Sequence, residues 1–378
     1  MKILIAPDKF KGSLTAPQAA DAIAAGARRA VPDAELDLCP IADGGDGFVE
    51  TMIRATGGKL VTHRVTGPLP EMKVDATFGI LPDGQTAVIE MAAAAGLAML
   101  RPEQRNPLAT TTFGVGELMR RAVEFGCRHI LLGIGGSATT DAGIGCAQAT
   151  GHTIILDDGE PVSMSEPLCG RDVGRVVMVK RHRGEVTDGV TVTVACDVTN
   201  PLFGPTGAAY VFGPQKGATP GIVKELDDAL RGLVAKSGLT TEAATPGAGA
   251  AGGLGFGLLA WFGATLVSGI DLVLDATKLC ERLRGADLCI TAEGRIDSQS
   301  VDGKAIGGVA QACREAGVPC VAIAGGVEDG LDCAALGLAG AFSICNRPMT
   351  LEQAVANAPK LLRQTAENVV RLRATESR

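Results

Sequence analysis

The sequence predicts an α/β fold in which a doubly wound parallel sheet domain is interrupted by a second, inserted α/β domain. Three observations predict it. Short apolar runs alternate with helical segments at both ends of the chain, several runs stop at loops rich in glycine and charge, and a long middle segment has strand and turn signals of its own. Alternating strands and helices favour parallel pairing with right-handed crossovers, so we expect helices on both faces of the sheet.

The two ends of the chain repeat the order strand, charged loop, helix. Lys2 to Ala6 is a short apolar run that stops at Pro7-Asp8, and Thr15 then caps a helix with Pro17 in its first turn. The other predicted elements are strands at residues 35–42, 286–292, 319–324 and 341–345, and helices at residues 48–55, 304–316 and from 351 onward.

These five strands fit the flavodoxin-like order 2-1-3-4-5. In that order the first strand lies beside the strand at residues 286–292, and their junction is the switch point at which ligands bind. The loops Asp8-Lys9-Phe10-Lys11 and Glu293-Gly294-Arg295-Ile296-Asp297 follow these two strands. We therefore expect two segments that are distant in the sequence to meet at one edge of the sheet.

The middle of the chain predicts an inserted α/β domain. Residues 74–81 and 86–91 predict a hairpin about Pro82-Asp83-Gly84, and residues 130–134 and 190–195 predict buried strands. We assign residues 1–64 plus 281–378 to the flavodoxin-like domain and residues 65–280 to the insertion. The uncharged stretch from Ala243 to Ile270 has the length of a membrane span, but its many glycines favour a loop that leads into a buried helix.

The composition narrows the class of function. The 35 basic and 42 acidic residues give a net charge of -7, so the chain has no positive excess for a nucleic-acid backbone. The 11 cysteines are odd in number and include no Cys-x-x-Cys spacing, which favours reduced thiols in the cytoplasm. The apolar run at the N-terminus is too short for a secretory signal peptide. We expect a cytoplasmic protein with no nucleic-acid or membrane partner.

Two glycine-containing loops near the N-terminus carry charged side chains at strand ends, where ligands commonly bind. The loop from Asp8 to Ser13 is a candidate for ligand contact, and a solvated capping loop is its structural alternative. In Asp43-Gly44-Gly45-Asp46-Gly47 two carboxylates three residues apart suit a divalent cation such as Mg²⁺. A tight turn with an Asx cap is the alternative for that loop.

Three later segments complete the candidate site. Gly133-Ile134-Gly135-Gly136-Ser137 predicts a phosphate cradle, because glycines let backbone amides approach an anion and a helix that begins at the Ser or a following Thr adds its positive end. A glycine-packed helix start is the alternative. Glu293 to Ser298, with Gly303-Lys304 after it, groups opposite charges in one turn and favours a ligand or metal over a surface ion-pair cluster. Asp197 ends an apolar strand and suits either action on a ligand or capping.

These loops, in this order, resemble those of the type I, two-domain bacterial glycerate kinases, whose fold is a flavodoxin-like domain interrupted by a second α/β domain. The chain departs from the family pattern at Ala292 and Ile306, where Gly and Pro are usual, and at Asp46, which replaces a frequent Glu. The matching stretches are residues 6–14, 42–47, 133–139, 195–202, 212–217 and 293–299.

The resemblance implies transfer of the γ-phosphoryl group of ATP to D-glycerate, mostly at the 2-hydroxyl, with Mg²⁺. Because phosphoryl transfer depends on positioning and charge neutralisation, we assign Lys11 and Arg295 to catalysis, together with Asp197 as the group that accepts or orients the hydroxyl proton. The other assignments are Gly133, Gly135, Gly136, Ser137 and Lys304 for nucleotide or phosphate, Asp8, Lys9 and Glu293 for substrate, and Asp43 and Asp297 for the metal.

Other functions stay open on the sequence alone. A glycerate 3-kinase or another sugar-acid kinase needs the same kinds of loop. Gly253-Leu254-Gly255-Phe256-Gly257 resembles a galactokinase-type loop but lacks its serines. Flavodoxin-like halves also suit a non-enzymatic module that binds a flavin or a sugar acid. A homodimer is compatible with the sequence.

Overall fold

The computed structural model describes residues 1–42, 44–45, 47–181, 186–297 and 305–375. The chain divides into two compact units. Unit 1 comprises Met1–Asp43, Glu50–Gly57 and Ile270–Arg378, and unit 2 comprises Gly44–Val49 and Gly58–Gly269.

Strands and helices alternate along much of the chain. The strands are β1 (Lys2–Pro7), β2 (Glu35–Leu38), β3 (Lys59–Thr66), β4 (Lys73–Ile80), β5 (Thr86–Glu90), β6 (His129–Gly133), β7 (Thr153–Leu156), β8 (Val176–Lys180), β9 (Thr191–Ala195), β10 (Thr265–Val267), β11 (Leu288–Ile296), β12 (Cys320–Val327) and β13 (Gly340–Ser343). The α-helices are α1 (Ala16–Ala30), α2 (Phe48–Thr56), α3 (Ala92–Ala95), α4 (Phe113–Glu124), α5 (Ile144–Thr150), α6 (Ala208–Phe212), α7 (Pro220–Ser237), α8 (Thr240–Ala244), α9 (Ala250–Phe262), α10 (Gly269–Ala276), α11 (Leu279–Arg282), α12 (Ala305–Ala316) and α13 (Leu351–Thr375).

Unit 1 is built on a five-stranded sheet of order β13-β12-β11-β1-β2, with every neighbouring pair parallel. Numbered in chain order, these strands lie in the order 2-1-3-4-5, so the predicted flavodoxin-like topology is confirmed. The switch point is the β1–β11 pair, in which Ala6 lies opposite Thr291 and Pro7 opposite Ala292. Loops from the two ends of the chain therefore meet at one edge of this sheet.

Side chains alternate between the two faces of this sheet along each strand, and apolar side chains on both faces are covered by helices. Ile3 and Ile5 of β1 and Ile290 of β11 belong to the core that α1 and α13 form on one face. The intervening Cys289 points to the other face, where it meets Cys313 of α12. As predicted, Thr15 caps α1, and the Thr15 amide donates a hydrogen bond to the side-chain oxygen of Gln18.

Unit 2 contains a six-stranded mixed sheet of order β10-β9-β6-β5-β4-β3. The strands β5, β6, β9 and β10 are parallel, whereas β4 pairs antiparallel with both β3 and β5. The predicted hairpin is therefore present as β4 and β5. Its turn is stabilised by the Asp83 carboxylate, which accepts hydrogen bonds from the amides of Gln85 and Thr86 at 2.9 Å each.

The units differ in their bounds from the predicted division at residues 64/65 and 280/281. β3 pairs along its whole length with β4, which places residues 58–64 in unit 2. Residues 270–280 lie in unit 1, where Ile270 packs against Gly308 of α12. Sequence periodicity shows which residues are buried but does not show their partner, so it does not fix the bounds between two units.

The uncharged stretch between Ala243 and Ile270 folds as the end of α8, α9, β10 and the beginning of α10. Among the described residues, no helix combines the length and the apolar character needed to cross a membrane.

Candidate active site

The turn at Gly44-Gly45 packs on the carboxyl ends of β6 and β9. Gly44 has a φ of +81°, and a Cβ on it would lie 2.5 Å from the Cβ of Ala195. A Cβ on Gly133 would collide with the carbonyl oxygen of Gly44, and one on Gly135 would lie 3.0 Å from the Cα of Gly45. Three of the predicted loops thus meet in unit 2, and these glycines permit the close approach of their backbones.

Replacing Gly133 by Ala should therefore disrupt this junction. The added methyl group meets backbone on the facing turn, which cannot rotate away as a side chain can, so we expect unfolding to become easier by about 3 kcal/mol and activity to fall. Urea unfolding measures the first effect. Gly232→Ala is the matched control: Gly232 lies within α7 with nothing within 4 Å of its added Cβ, so this change should stabilise by about 0.5–1 kcal/mol. Equal stability of G133A and the unchanged protein would contradict the close approach.

Asp197 lies two residues beyond the end of β9, beside this junction. Its side chain is exposed, and Oδ1 accepts a hydrogen bond from the amide of Gly269 at 2.8 Å. A Cβ on Gly44 would lie 3.6 Å from the Cα of Gly269. The Gly44-Gly45 turn therefore contacts both the end of β9, which precedes Asp197, and the residue whose amide binds its carboxylate. The carboxylate is thereby held at the strand end where the glycine turn packs.

The predicted helix at Ser137 or the threonines after it is wrong. α5 begins only at Ile144, because Asp141 holds the preceding loop: its carboxylate accepts hydrogen bonds from the Thr112 amide at 2.7 Å and from the Gly143 amide at 3.1 Å. Gly136 is exposed and its carbonyl accepts a hydrogen bond from Leu97, while Ser137 is buried. No helix N-terminus therefore lies at Ser137 to support an anion in this loop.

In unit 1 the loop after β1 lies against the end of β11. The buried Asp8 donates its amide to the carbonyl of Ala292 at 2.7 Å, and its Oδ1 accepts from the amide of Lys9 at 2.6 Å. A Cβ on Gly294 would lie 3.3 Å from the amide nitrogen of Lys11. The structure therefore brings Asp8, Lys9 and Lys11 beside the 293–295 segment, as the switch-point argument predicts.

Glu293 and Arg295 belong to strand β11, and the prediction of a loop after residue 292 is wrong. Pairing with β12 continues with Glu293 opposite Ala324, Arg295 opposite Gly326 and Ile296 opposite Val327, so the sheet extends past residue 292. Because side chains alternate, Glu293 and Arg295 share one face. The Arg295 side chain is 74% exposed, and its Nε lies 3.9 Å from Oδ2 of Asp297.

A cavity of about 400 Å³ opens at this edge of the unit 1 sheet. Lys11 and Arg295 provide its cationic groups, and Gly325 and Gly326 of β12 form part of its floor. Its apolar wall comes from the β1 loop, the segment after β13 and the first turns of α13, through Phe10, Ile344, Met349, Leu351, Ala354 and Val355. Two of the predicted site residues, Asp43 and Lys304, lie outside the described residues.

Residues 3–374 match the sequence profile of the glycerate kinase family. The chain belongs to the glycerate kinase family. The predicted family and enzyme class are thereby confirmed, and a kinase takes its phosphoryl group from ATP.

Relatives of this kinase agree over the whole length. It is 45% identical over 375 residues to a glycerate kinase of Halalkalibacterium halodurans, which covers 97% of both chains. It is 43% identical over 375 residues to the glycerate 2-kinase of Escherichia coli K12, covering 98% of this chain and 97% of the relative. A crystal structure from Salmonella typhimurium LT2 that was assigned as glycerate kinase 2 superposes with a TM-score of 0.87 at 43% identity, covering 100% of both chains.

Two charged residues that have no predicted role, Lys216 and Asp141, are buried in unit 2 of the kinase. Lys216 is 1% exposed and donates its Nζ to the carbonyl oxygen of Thr139 at 2.6 Å. Burial lowers the pKa of Lys216 to about 7, and the charge of Asp141 opposes this shift. Burial likewise raises the pKa of Asp141, against the hydrogen bonds from Thr112, Gly143 and Gly145. Both residues form hydrogen bonds that fix the loop that follows Gly136. In the sequence, Lys216 lies within residues 212–217, one of the stretches that match the family, and this match is the signal that could have indicated it.

Lys216 should make the stability of the kinase depend on pH. Between about pH 7 and 10.5 the unfolded chain keeps a proton on this lysine that the folded chain has lost, so stability rises with pH by up to about 1.4 kcal/mol per unit. In Lys216→Met we expect this rise of stability with pH to be absent. Urea unfolding of both proteins across that range measures the difference, and the lost hydrogen bond to Thr139 adds only an offset that is independent of pH. A constant difference between the two proteins would contradict a lysine with a lowered pKa.

Proposed function

We propose that the chain transfers the γ-phosphoryl group of ATP to the 2-hydroxyl of D-glycerate, giving ADP and 2-phospho-D-glycerate. The observation that carries the proposal is the pair of cations, Lys11 and Arg295, in a cavity at the switch point of a flavodoxin-like sheet in a member of the glycerate kinase family. The name of the Escherichia coli relative, a glycerate 2-kinase, supports the 2-hydroxyl as acceptor.

We assign ATP to the unit 1 cavity. Its volume falls in the range of about 300–1,000 Å³ that is usual for ligand pockets. The apolar wall suits a purine ring, and the lysine and arginine suit phosphate oxygens, which guanidinium groups bind in bidentate fashion. The half-buried Lys9 and Glu293 are proposed for substrate contact together with Asp8, whose own carboxylate is held by the loop.

The acceptor step is assigned to Asp197 of unit 2. As the glycerate oxygen forms a bond with the γ-phosphorus, the bond from that phosphorus to the bridging oxygen of ADP breaks, and the hydroxyl proton passes to the Asp197 carboxylate. Gly269 orients this carboxylate through its amide. Lys11 and Arg295 neutralise charge on the transferring group, and the exposed backbone at Gly135 and Gly136, with Gly133 and Ser137 beside it, is proposed to contact phosphate.

The carboxylates present are hard oxygen donors of the kind that Mg²⁺ prefers. Asp297 is half-buried beside Arg295, and Mg²⁺ typically binds through one or two carboxylates while substrate phosphates complete its shell. We propose Asp297 as a ligand, and Asp43 remains the second predicted ligand. Bound Mg²⁺ would supply further neutralisation of phosphate charge.

Purified protein incubated with ATP, Mg²⁺ and D-glycerate should release ADP, with phosphorus NMR showing 2-phosphoglycerate. Formation of 3-phosphoglycerate would replace the proposed regiochemistry by that of a 3-kinase. ADP release with other sugar acids but none with D-glycerate would indicate another sugar-acid kinase. The absence of any turnover would favour a binding module.

Filling the cavity should weaken ATP binding selectively. Ala354 lines the cavity from α13, so Ala354→Trp should raise the KM for ATP by about tenfold or more while the KM for D-glycerate changes little. Ala356→Trp on the exposed side of the same helix is the matched control and should leave both values unchanged. A rise in the KM for D-glycerate alone would instead assign the cavity to the acceptor.

The cytoplasmic location and the homodimer stay predictions. All 11 cysteines are free thiols, which supports a reducing compartment. Size-exclusion chromatography with light scattering would measure the oligomeric state.

A further inference from the structure

Three cysteines of unit 1 converge behind the sheet, on the face opposite α1 and α13. Cys289 of β11 and Cys320 of β12 lie directly opposite each other in the parallel ladder, and Cys313 of α12 packs over them. Their Sγ atoms lie within 4.8 Å of one another. Each of the three residues is at most 1% exposed.

We propose that these three sulfurs form a binding site for a soft monovalent metal ion, Cu(I). A metal bonded at about 2.3 Å to three coplanar sulfurs would hold them about 4 Å apart, and the sulfurs of the trio lie within 4.8 Å of one another. Thiolates select soft ions such as Cu(I) over the hard cation that serves the kinase reaction. The site is therefore separate in chemistry from the proposed Mg²⁺ ligands.

The number of donors decides between copper and zinc. Structural zinc is almost always bound by four protein ligands in a tetrahedron. Within the part of the chain that the structure describes, no fourth His, Cys, Asp or Glu side chain joins the trio. Three sulfurs complete the coordination of Cu(I), and their burial excludes water and other competing ligands.

Binding requires little rearrangement of the surrounding fold. The sulfur atoms of β11, β12 and α12 already converge in the folded chain. Cu(I) forms bonds to sulfur and displaces thiol protons to solvent. No electron is transferred, because copper enters and remains in the monovalent state.

The test uses the full chain without its more accessible thiols on the same unit. Cys280, Cys333 and Cys345 are changed to Ser, and this background is incubated anaerobically with Cu(I) under reducing conditions, both as the folded protein and during refolding from urea. Refolding gives copper access to the closed core. A chromogenic Cu(I) chelator then removes weakly held metal, and the copper that remains per chain is measured together with its ligands by X-ray absorption.

We expect one copper per chain with a shell of sulfur atoms only. Adding Cys313→Ser or, separately, Cys289→Ser should lower the Cu(I) affinity by more than about tenfold, whereas Cys127→Ser, at a buried cysteine of unit 2, should leave it unchanged. Circular dichroism checks that each variant is folded. The proposal is overturned if the chelator removes all copper from the background protein, if C127S loses as much affinity as C313S, or if zinc competes equally for the trio.

Discussion

Replacing Asp197 by Asn should lower kcat by about 10²–10⁴ while both substrates keep nearly the same KM. The large effect is expected because the amide cannot take up the hydroxyl proton of glycerate at the moment of phosphoryl transfer. The fold should not change. The side-chain oxygen of Asn can still accept the amide of Gly269, which is the bond that orients Asp197 at 2.8 Å.

The matched control for this variant is Asp228→Asn. Asp228 is an exposed carboxylate of α7 in the same unit, paired with Lys224 on the surface, and its neutralisation should leave kcat unchanged. Steady-state kinetics and urea unfolding of both variants separate loss of chemistry from loss of structure. A kcat for D197N within about threefold of the unchanged enzyme would remove Asp197 from proton transfer.

Replacing Arg295 by Met should lower kcat/KM by about 10²–10³, because the positive charge would no longer offset the charge on the transferring phosphoryl group. The stability of the protein should be nearly unchanged. The Arg295 side chain is 74% exposed and its Nε lies 3.9 Å from Oδ2 of Asp297, so this pair contributes about 0–1 kcal/mol at most.

Two further variants sharpen this test. Arg295→Lys keeps the charge but loses the planar fork, and its activity should fall between those of R295M and the unchanged enzyme. Arg314→Met removes an exposed arginine of α12 in the same unit and should have no effect on kcat/KM. If R295M and R314M lose equal activity, the effect reflects net charge alone, and Arg295 has no specific role.

The candidate site was only partly predictable. Strand ends and glycine-rich loops are local features, and they indicate Asp8, Lys11, Asp197 and Arg295 as candidates. The collision that a side chain at Gly133 would cause with the Gly44 carbonyl was not predictable, because the two glycines are distant in sequence and their contact depends on how the 44–45 turn seats on β6 and β9. The glycines of these loops are predicted to let backbone amides approach an anion, and the structure shows that they also let the backbones of the loops pack closely against each other.

By itself the sequence determined the alternation of strands and helices, the strand order of unit 1 and the family, because residue periodicity and loop composition are read along one segment at a time. Tertiary structure alone decided that β11 continues through Arg295, that Lys216 is enclosed beside the loop after Gly136, and that three separated cysteines share one pocket of the core. Each of these depends on a partner from another part of the chain. Pairing and enclosure are properties of segments brought together by folding, so no single segment encodes them.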